Sequence, residues 1–173
     1  MLILITGLPG SGKTTLARAY AARYGATHLN SDLLRDELGL KGHYRPEDKE
    51  KVYQTLLERT RRLLEEGKEV VVDSTFYKAA IREPFQLVAE TCGSQICWVE
   101  VRAPERIIHE RLQTPRPDSE ADYGVYEKIR DAYEPLREPH LVLWSEEASI
   151  AKMAASVHEY VTERTSIGIP PKD

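Results

Sequence analysis

The first 24 residues restrict the possible folds of this chain more than any other segment. Residues 2–6 form a continuous apolar run, which is typical of a strand buried on both faces of a sheet. A turn with glycines at positions 7, 10 and 12 follows directly. Residues 13–24, rich in alanine, then predict a helix that ends at Gly25. A buried strand joined to a helix by a short glycine turn indicates a parallel sheet covered by helices.

The same alternation continues along the chain. Further strands are predicted at residues 27–29, 69–73, 95–101 and 141–144. Helices are predicted at residues 31–38, 46–66, 78–92, 104–112, 123–133 and 150–162. The helix at 78–92 is expected to be interrupted, or to restart, near Pro84. We therefore expect an α/β fold of three layers, a five-stranded parallel sheet with helices on both faces. We predict one domain over 1–173, with a small lid at about 113–121 and a flexible tail at about 165–173.

The composition argues against several classes of protein. The formal net charge of −4 disfavours tight sequence-independent binding to nucleic acid, although it allows a local basic groove. Cys92 and Cys97 are too few for a disulfide scaffold, so we expect both to be reduced packing residues. No segment approaches the roughly 20 apolar residues of a membrane helix. We therefore expect a cytoplasmic protein that does not enter a membrane.

The glycine turn carries the clearest chemical signal. The segment from Gly7 to Thr14 fits the P-loop pattern G-x4-G-K-[ST]. Its glycines let backbone N–H groups face phosphate oxygens, and the N-terminus of the next helix adds partial positive charge. The Lys13 ammonium is suited to neutralise the β and γ phosphates. We predict an ATP site formed by Gly7, Leu8, Pro9, Gly10, Ser11, Gly12, Lys13, Thr14 and Thr15.

A carboxylate at the end of another strand suggests a magnesium site. Asp73 ends the apolar run 70–72, and such an acid in P-loop proteins faces Mg²⁺ or its water shell. We predict that Thr14 and Asp73 bind Mg²⁺; the alternative is that Asp73 only caps the segment Ser74–Thr75. Asp73 is followed by Ser74 rather than by glutamate, which favours phosphoryl transfer to a bound hydroxyl over hydrolysis.

Three further segments carry a resemblance to a known family. The sequence Asn-Ser-Asp-Leu-Leu-Arg at 30–35, Val-Val-Asp-Ser-Thr at 71–75 and the stretch 111–121 accompany the phosphate loop. Together they resemble the P-loop polynucleotide 5'-hydroxyl kinases and the small kinases around them. These are related to gluconate, adenylylsulfate and seryl-tRNA kinases and to zeta toxins. The resemblance covers most of residues 1–145 and implies an ATP-dependent kinase.

The resemblance also implies roles for individual residues. Asp32 would be the general base that accepts the proton of the attacking alcohol, and Arg35 would hold an anionic group of the acceptor. Arg111 and Arg116 resemble lid arginines, whose charge would stabilise the transferring γ-phosphoryl group. We predict Lys13, Asp32, Arg35, Arg111 and Arg116 as the catalytic residues.

Structural alternatives remain open for these side chains. Asp32 is also suited to cap a helix, and Arg35 to form a surface ion pair with Asp36 or Glu37. The two lid arginines are alternatively solvated. The sequence does not decide whether substrate contacts are made by four other residues, Arg82, His43, Tyr44 and Arg45; we favour a solvated helix face for the first and an exposed loop for the others.

The first hypothesis for the acceptor is the 5'-hydroxyl of a polynucleotide, and the alternative is a small metabolite or antibiotic.

An ATPase or GTPase switch is a competing class of function for the whole chain. The sequence has no N-K-x-D motif for reading guanine, and its D-x-x-G segment, Asp36–Gly39, falls at a helix end. The sequence determines neither the oligomeric state nor the preference between ATP and GTP.

Overall fold

The computed structural model describes residues 1–114 and 121–167, with the backbone alone at Ile167. The strands are β1 (Leu2–Thr6), β2 (Thr27–Asn30), β3 (Val70–Asp73), β4 (Ile96–Arg102) and β5 (His140–Trp144). The helices are α1 (Lys13–Tyr24), α2 (Ser31–Glu37), α3 (Pro46–Glu65), α4 (Ala79–Thr91), α5 (Glu105–Leu112), α6 (Tyr123–Asp131) and α7 (Ile150–Ile167). The predicted alternation of strands and helices is confirmed.

The five strands form one parallel sheet in the order β2-β3-β1-β4-β5. In the register of the central strands, Asp73 lies beside both Ile5 and Asn30. The carboxyl ends of β1, β2 and β3 therefore meet at the same edge. Ligands of open parallel sheets bind beyond this edge, where the connections leave in opposite directions. The topology places the phosphate loop, which follows β1, at that position.

The core has two halves, one on each face of the sheet. On one face, Leu2 and Leu4 of β1 pack with buried residues of α3 and α4, including Leu56 and Phe85. On the other face, Ile3 and Ile5 pack with residues of α1 and α7. Alternate residues of a strand point to opposite faces, so a continuous apolar strand supplies both halves. The result is the predicted three-layer P-loop fold.

Two predicted helix boundaries are wrong. The helix at 78–92 is not interrupted, because α4 runs from Ala79 to Thr91 with Pro84 inside it. The missing N–H of Pro84 leaves the carbonyl of Ala80 without its usual helical partner, and both residues line the cavity described below. The last helix, α7, continues to Ile167 instead of ending at 162. The remaining tail, 168–173, lies outside the described residues.

Cys97 is buried, Cys92 is half-buried, and both are free thiols, as expected. Within residues 1–114 and 121–167, no helix has the length and apolar character needed to span a membrane.

Candidate active site

The phosphate loop adopts a conformation that requires its glycines. Gly7, Gly10 and Gly12 all have positive φ, at 153°, 82° and 101°. A Cβ atom at Gly7 would collide with the backbone oxygen of Val101. Gly12 is the N-cap of α1 and has no side chain that could cap the first N–H groups of the helix. The loop and the helix end thus present backbone N–H groups suited to bind phosphate groups.

The carboxylate of Asp73 is completely buried at the centre of the strand ends. Its Oδ2 accepts hydrogen bonds from Thr14 Oγ1 at 2.7 Å and from Asn30 Nδ2 at 2.8 Å. Its Oδ1 contacts Nε2 of His28. The structure therefore brings together the two predicted magnesium ligands, Thr14 and Asp73. These bonds direct the carboxylate toward β2 and the phosphate loop rather than into a simple cap of Ser74–Thr75.

The donor set beside the loop fits a magnesium ion. A hydroxyl oxygen and a carboxylate are hard oxygen ligands, and Mg²⁺ is usually held by one or two protein groups together with substrate phosphates and water. Over the described ranges, no cluster of three or more His, Cys, Asp or Glu residues forms a separate metal site. The Thr14–Asp73 pair would hold the ion together with phosphate oxygens of a bound nucleotide and water.

Sequence reasoning missed His28, and it quoted Asn30 only as part of the motif at 30–35, without a role. Both lie on β2 at alternate positions and so point to the same face of the sheet. The register pairs Asn30 directly with Asp73, which explains the contact. The available signal was this alternation, since the residue between His28 and Asn30, Leu29, is apolar. It became useful only once β2 was known to be the neighbour of β3.

Asp32 lies on the first turn of α2 and lines the cavity in front of the phosphate loop. The alternative role of helix cap belongs to another residue, because the N-cap is Asn30, whose Oδ1 accepts from the Leu33 backbone N–H at 2.7 Å. The fold therefore does not need Asp32 as a cap. Asp32 is exposed.

Arg35 follows one turn later and is 7% exposed. Its Nη1 donates to the backbone oxygen of His43 at 2.5 Å, and its guanidinium lies 4.6 Å from the centre of the Tyr44 ring. The predicted alternative of a surface ion pair with Asp36 or Glu37 is wrong, since Glu37 binds Arg59 instead. Arg35 is thus held at the wall of the cavity.

The cavity has a volume of about 790 Å³ and is shared by the phosphate loop, α2, α3, α4 and α6. Tyr53 of α3 lies in its wall, and its hydroxyl forms a 2.8 Å hydrogen bond with Ser74 Oγ. Burial raises the pKa of Tyr53, so this hydroxyl stays protonated at neutral pH. Apolar side chains of α3, α4 and α6 form much of the remaining wall. Among the described residues, the polar and charged side chains in it include Asp32, Arg35, Tyr44, Lys49, Glu50, Gln54, Tyr77 and Lys128.

Arg111, at the end of α5, contacts the phosphate loop directly. Its Nη1 donates to the carbonyl oxygens of Gly10 and Ser11, at 3.0 and 3.2 Å, and to Ser145 Oγ at 2.8 Å. The alternative of a solvated arginine is therefore wrong. The bonds are to loop carbonyls, whereas phosphate would be bound by loop N–H groups. Arg116, the other predicted lid arginine, lies outside the described residues, as does most of the predicted lid.

Two positions were considered for Arg82, a contact with substrate and a solvated helix face, and the structure shows neither. Its side chain is 3% exposed and is neither solvated nor part of the cavity wall. It donates to the backbone oxygens of Phe76, Glu134 and Pro135. Of the three residues in the 43–45 loop, Tyr44 lines the cavity, whereas Arg45 is exposed and pairs with Glu47 and Asp48.

Residues 2–136 match the protein family described as "AAA domain". The chain belongs to this family. The AAA-domain match spans the phosphate loop, the Asp73 strand and the helices that build the cavity.

Relatives of this AAA-domain protein include several P-loop kinases. It is 26% identical over 180 residues to the adenylyl-sulfate kinase of Halothermothrix orenii, covering 97% of this chain and 92% of that protein. It is 26% identical over 115 residues to the L-seryl-tRNA(Sec) kinase of Methanococcus maripaludis, covering 64% of this chain. The aligned region spans only 44% of that second relative.

A solved structure supports the same fold. The APS kinase of Mycobacterium tuberculosis, in complex with AMPPNP and APS, superposes with a TM-score of 0.72 at 22% identity, covering 93% of this chain and 96% of that chain. At this identity the likeness shows the fold alone. The family match and the kinase relatives confirm the predicted resemblance to P-loop kinases, and these relatives support an ATP-dependent phosphotransferase.

Proposed function

We propose that this protein is an ATP-dependent kinase that transfers the γ-phosphoryl group to the hydroxyl of an acceptor. The observation that carries the proposal is the shared cavity. The phosphate loop with Lys13 forms one part of its wall, and Asp32 forms another. A nucleotide on the loop and a hydroxyl compound beside Asp32 would therefore meet in the same space. A switch that only hydrolyses nucleotide needs no such acceptor space.

The nucleotide would be held by groups of the loop and its flanking strands. Backbone N–H groups of the loop and of the first turn of α1 would bind phosphate oxygens, and Lys13 would neutralise the β and γ phosphates. Thr14 and Asp73 would hold Mg²⁺, whose positive charge would stabilise the negative charge that develops on the transferred group. Asn30 and His28 orient the Asp73 carboxylate by their bonds to it.

Asp32 would act on the acceptor. Its carboxylate would accept the hydroxyl proton while the acceptor oxygen forms a bond to the γ-phosphorus and the bond to the β,γ-bridging oxygen breaks, releasing ADP. The acceptor leaves as a phosphate ester, and the proton passes from Asp32 to solvent. Arg35, fixed by its bond to His43 and by the Tyr44 ring, would bind an anionic group of the acceptor.

We propose the 5'-hydroxyl end of a polynucleotide as the first acceptor. Three cations on three helices, Arg35, Lys49 and Lys128, line the cavity and would suit a phosphodiester next to the hydroxyl. The Tyr44 ring is 46% exposed and could stack on a base. The alternative acceptor is a small phosphorylated or sulfated compound, which the same cations would bind. This alternative is supported by the adenylyl-sulfate kinase, a relative that aligns with 97% of this chain.

The test is transfer of labelled γ-phosphate from ATP to a panel of acceptors. The panel contains a 5'-hydroxyl oligonucleotide, a nucleoside 3'-phosphate, a bare nucleoside and adenosine 5'-phosphosulfate. Label on the oligonucleotide and the 3'-phosphate supports the polynucleotide acceptor, and label only on the phosphosulfate supports the alternative. Arg35→Ala should raise KM for the oligonucleotide and the 3'-phosphate more than for the bare nucleoside. Absence of label from all four acceptors would contradict the proposal.

A further inference from the structure

The segment after α6 is bonded closely to the loop between β3 and α4. Glu134 makes three hydrogen bonds there: its N–H donates to Tyr77 O at 2.8 Å, its carbonyl accepts from Arg82 Nη1 at 2.7 Å, and its Oε2 accepts from the Ala79 N–H at 2.7 Å. Ala79 is the first residue of α4, whose own N-cap, Lys78, supplies no side-chain bond. The Glu134 carboxylate therefore caps α4 from a distant part of the chain.

Arg82 strengthens the same connection from inside the protein. Besides the carbonyl of Glu134, it donates to the carbonyls of Phe76 at 3.2 Å and Pro135 at 3.3 Å. A buried guanidinium is costly unless its N–H groups are hydrogen-bonded. Both Nη groups of Arg82 are bonded, whereas its buried Nε has no hydrogen-bond partner among the described residues. All three of these acceptors are backbone atoms, so the bonds fix the separation of the two segments. We refer to these contacts of Glu134 and Arg82 as the Glu134–Arg82 clasp.

The loop held by the clasp has an unfavourable backbone conformation. Phe76 has φ of 44°, which is uncommon for a residue with a bulky side chain. Its ring is completely buried and packs edge-on against Phe85 at 5.2 Å and Trp98 at 5.9 Å. The aromatic contacts hold the Phe76 side chain, while Arg82 holds its carbonyl. Such a conformation persists only where the surroundings enforce it.

Both clasped segments lead into walls of the cavity. From the loop, Ser74, Thr75 and Tyr77 line it, and from α6 Val125 and Lys128 do so. The helix α6 ends at 131, shortly before the clasp. None of the hydrogen bonds of the clasp involves residues 7–15, which form the phosphate loop.

We propose that the Glu134–Arg82 clasp joins the β3–α4 loop and α6 into one unit that positions the acceptor. Glu134 and Arg82 are then positioning residues, because they act through the residues that line the cavity. The inference rests on the proposed function, since it assigns these walls to the acceptor rather than to ATP. Loss of the clasp should loosen both walls together and weaken acceptor binding selectively.

The first part of the test is hydrogen exchange of the free protein, which needs no substrate. Glu134→Ala should raise amide exchange in 74–82 and in 121–135 together, by about tenfold, the usual scale for loss of a helix-capping bond. Glu134→Gln, whose amide oxygen can still accept from Ala79, should show a smaller rise. Glu83→Ala, which removes an exposed acid from the same helix, is the matched control. Faster exchange in only one of the two segments, or in neither, would overturn the clasp.

The second part is steady-state kinetics with MgATP and the best acceptor of the panel above. Glu134→Ala should raise KM for the acceptor about tenfold while KM for ATP and kcat change less than about twofold. The conservative Arg82→Lys should raise acceptor KM less than Arg82→Met does. An equal rise in KM for ATP, or an unchanged acceptor KM, would overturn the positioning role. If wild type transfers phosphate to no acceptor, the proposed function fails, while hydrogen exchange still decides whether the clasp exists.

Discussion

The substitution Asp32→Asn separates catalysis from folding at the proposed general base. The amide has nearly the size of the carboxylate but cannot accept a proton from the acceptor hydroxyl. General base catalysis contributes about 10²- to 10⁴-fold to a rate, so kcat for transfer should fall by that factor. Nucleotide affinity should stay nearly constant, because Lys13, Thr14 and the loop N–H groups would carry ATP binding.

The structure also sets the expected effect of this substitution on stability. The cap of α2 is Asn30, so Asp32→Asn removes no capping bond. The side chain is exposed, and the amide loses the favourable interaction of the carboxylate with the N-terminus of α2, so the free energy of unfolding should fall by no more than about 1 kcal/mol. The midpoint of urea unfolding should therefore stay close to that of wild type. A large loss of activity in a variant of nearly normal stability is therefore the result expected if Asp32 is the general base.

The assay is transfer from labelled ATP at saturating acceptor, with ATP affinity measured separately by calorimetry. Asp36→Asn is the matched control, because it makes the same change at an exposed position on the same helix. The control should retain wild-type kcat. Activity of Asp32→Asn within about threefold of wild type would refute the general-base role, because it falls far short of the range for this type of catalysis.

Three further outcomes are expected. Lys13→Ala should abolish transfer in a folded protein, as measured by activity and circular dichroism, and near-normal turnover would contradict the phosphate-loop assignment. Arg111→Ala should raise KM for ATP about tenfold, since the side chain holds two loop carbonyls, and unchanged KM and kcat would reassign it to the surface. Asp73→Asn should weaken the magnesium-dependent part of ADP binding, measured by calorimetry with and without Mg²⁺; equal loss without Mg²⁺ would indicate a purely structural role.

The fold was largely predictable because its signals are local. Continuous apolar strands, glycine stops and the alternation of strand and helix are each read within about ten residues. The boundaries failed where one local rule competed with tertiary packing. Pro84 predicts an interruption, yet Phe85 and Val88 of the same helix are buried in the core, and their burial keeps α4 continuous.

The candidate site was predictable only where a motif occupies a short segment. Lys13, Thr14 and Asp73 follow from strand-end motifs, and the structure brings them together. The roles of Arg82 and Glu134 depend on contacts between residues that are 52 positions apart, for which the sequence carries no signal. Arg111 was predicted as a lid arginine, but only the three-dimensional structure shows that it donates hydrogen bonds to carbonyls of the phosphate loop. The role of Arg116 stays a prediction.

The central claim is that ATP is consumed only when a hydroxyl acceptor shares the cavity. The most direct measurement is ADP release by the wild-type protein with and without the acceptor panel, together with the position of the γ-phosphate in the products. ADP release should be slow without acceptor and faster with it, and the phosphate ester formed should equal the additional ADP released. Release at the same rate without acceptor, with all γ-phosphate recovered as inorganic phosphate, would contradict the claim.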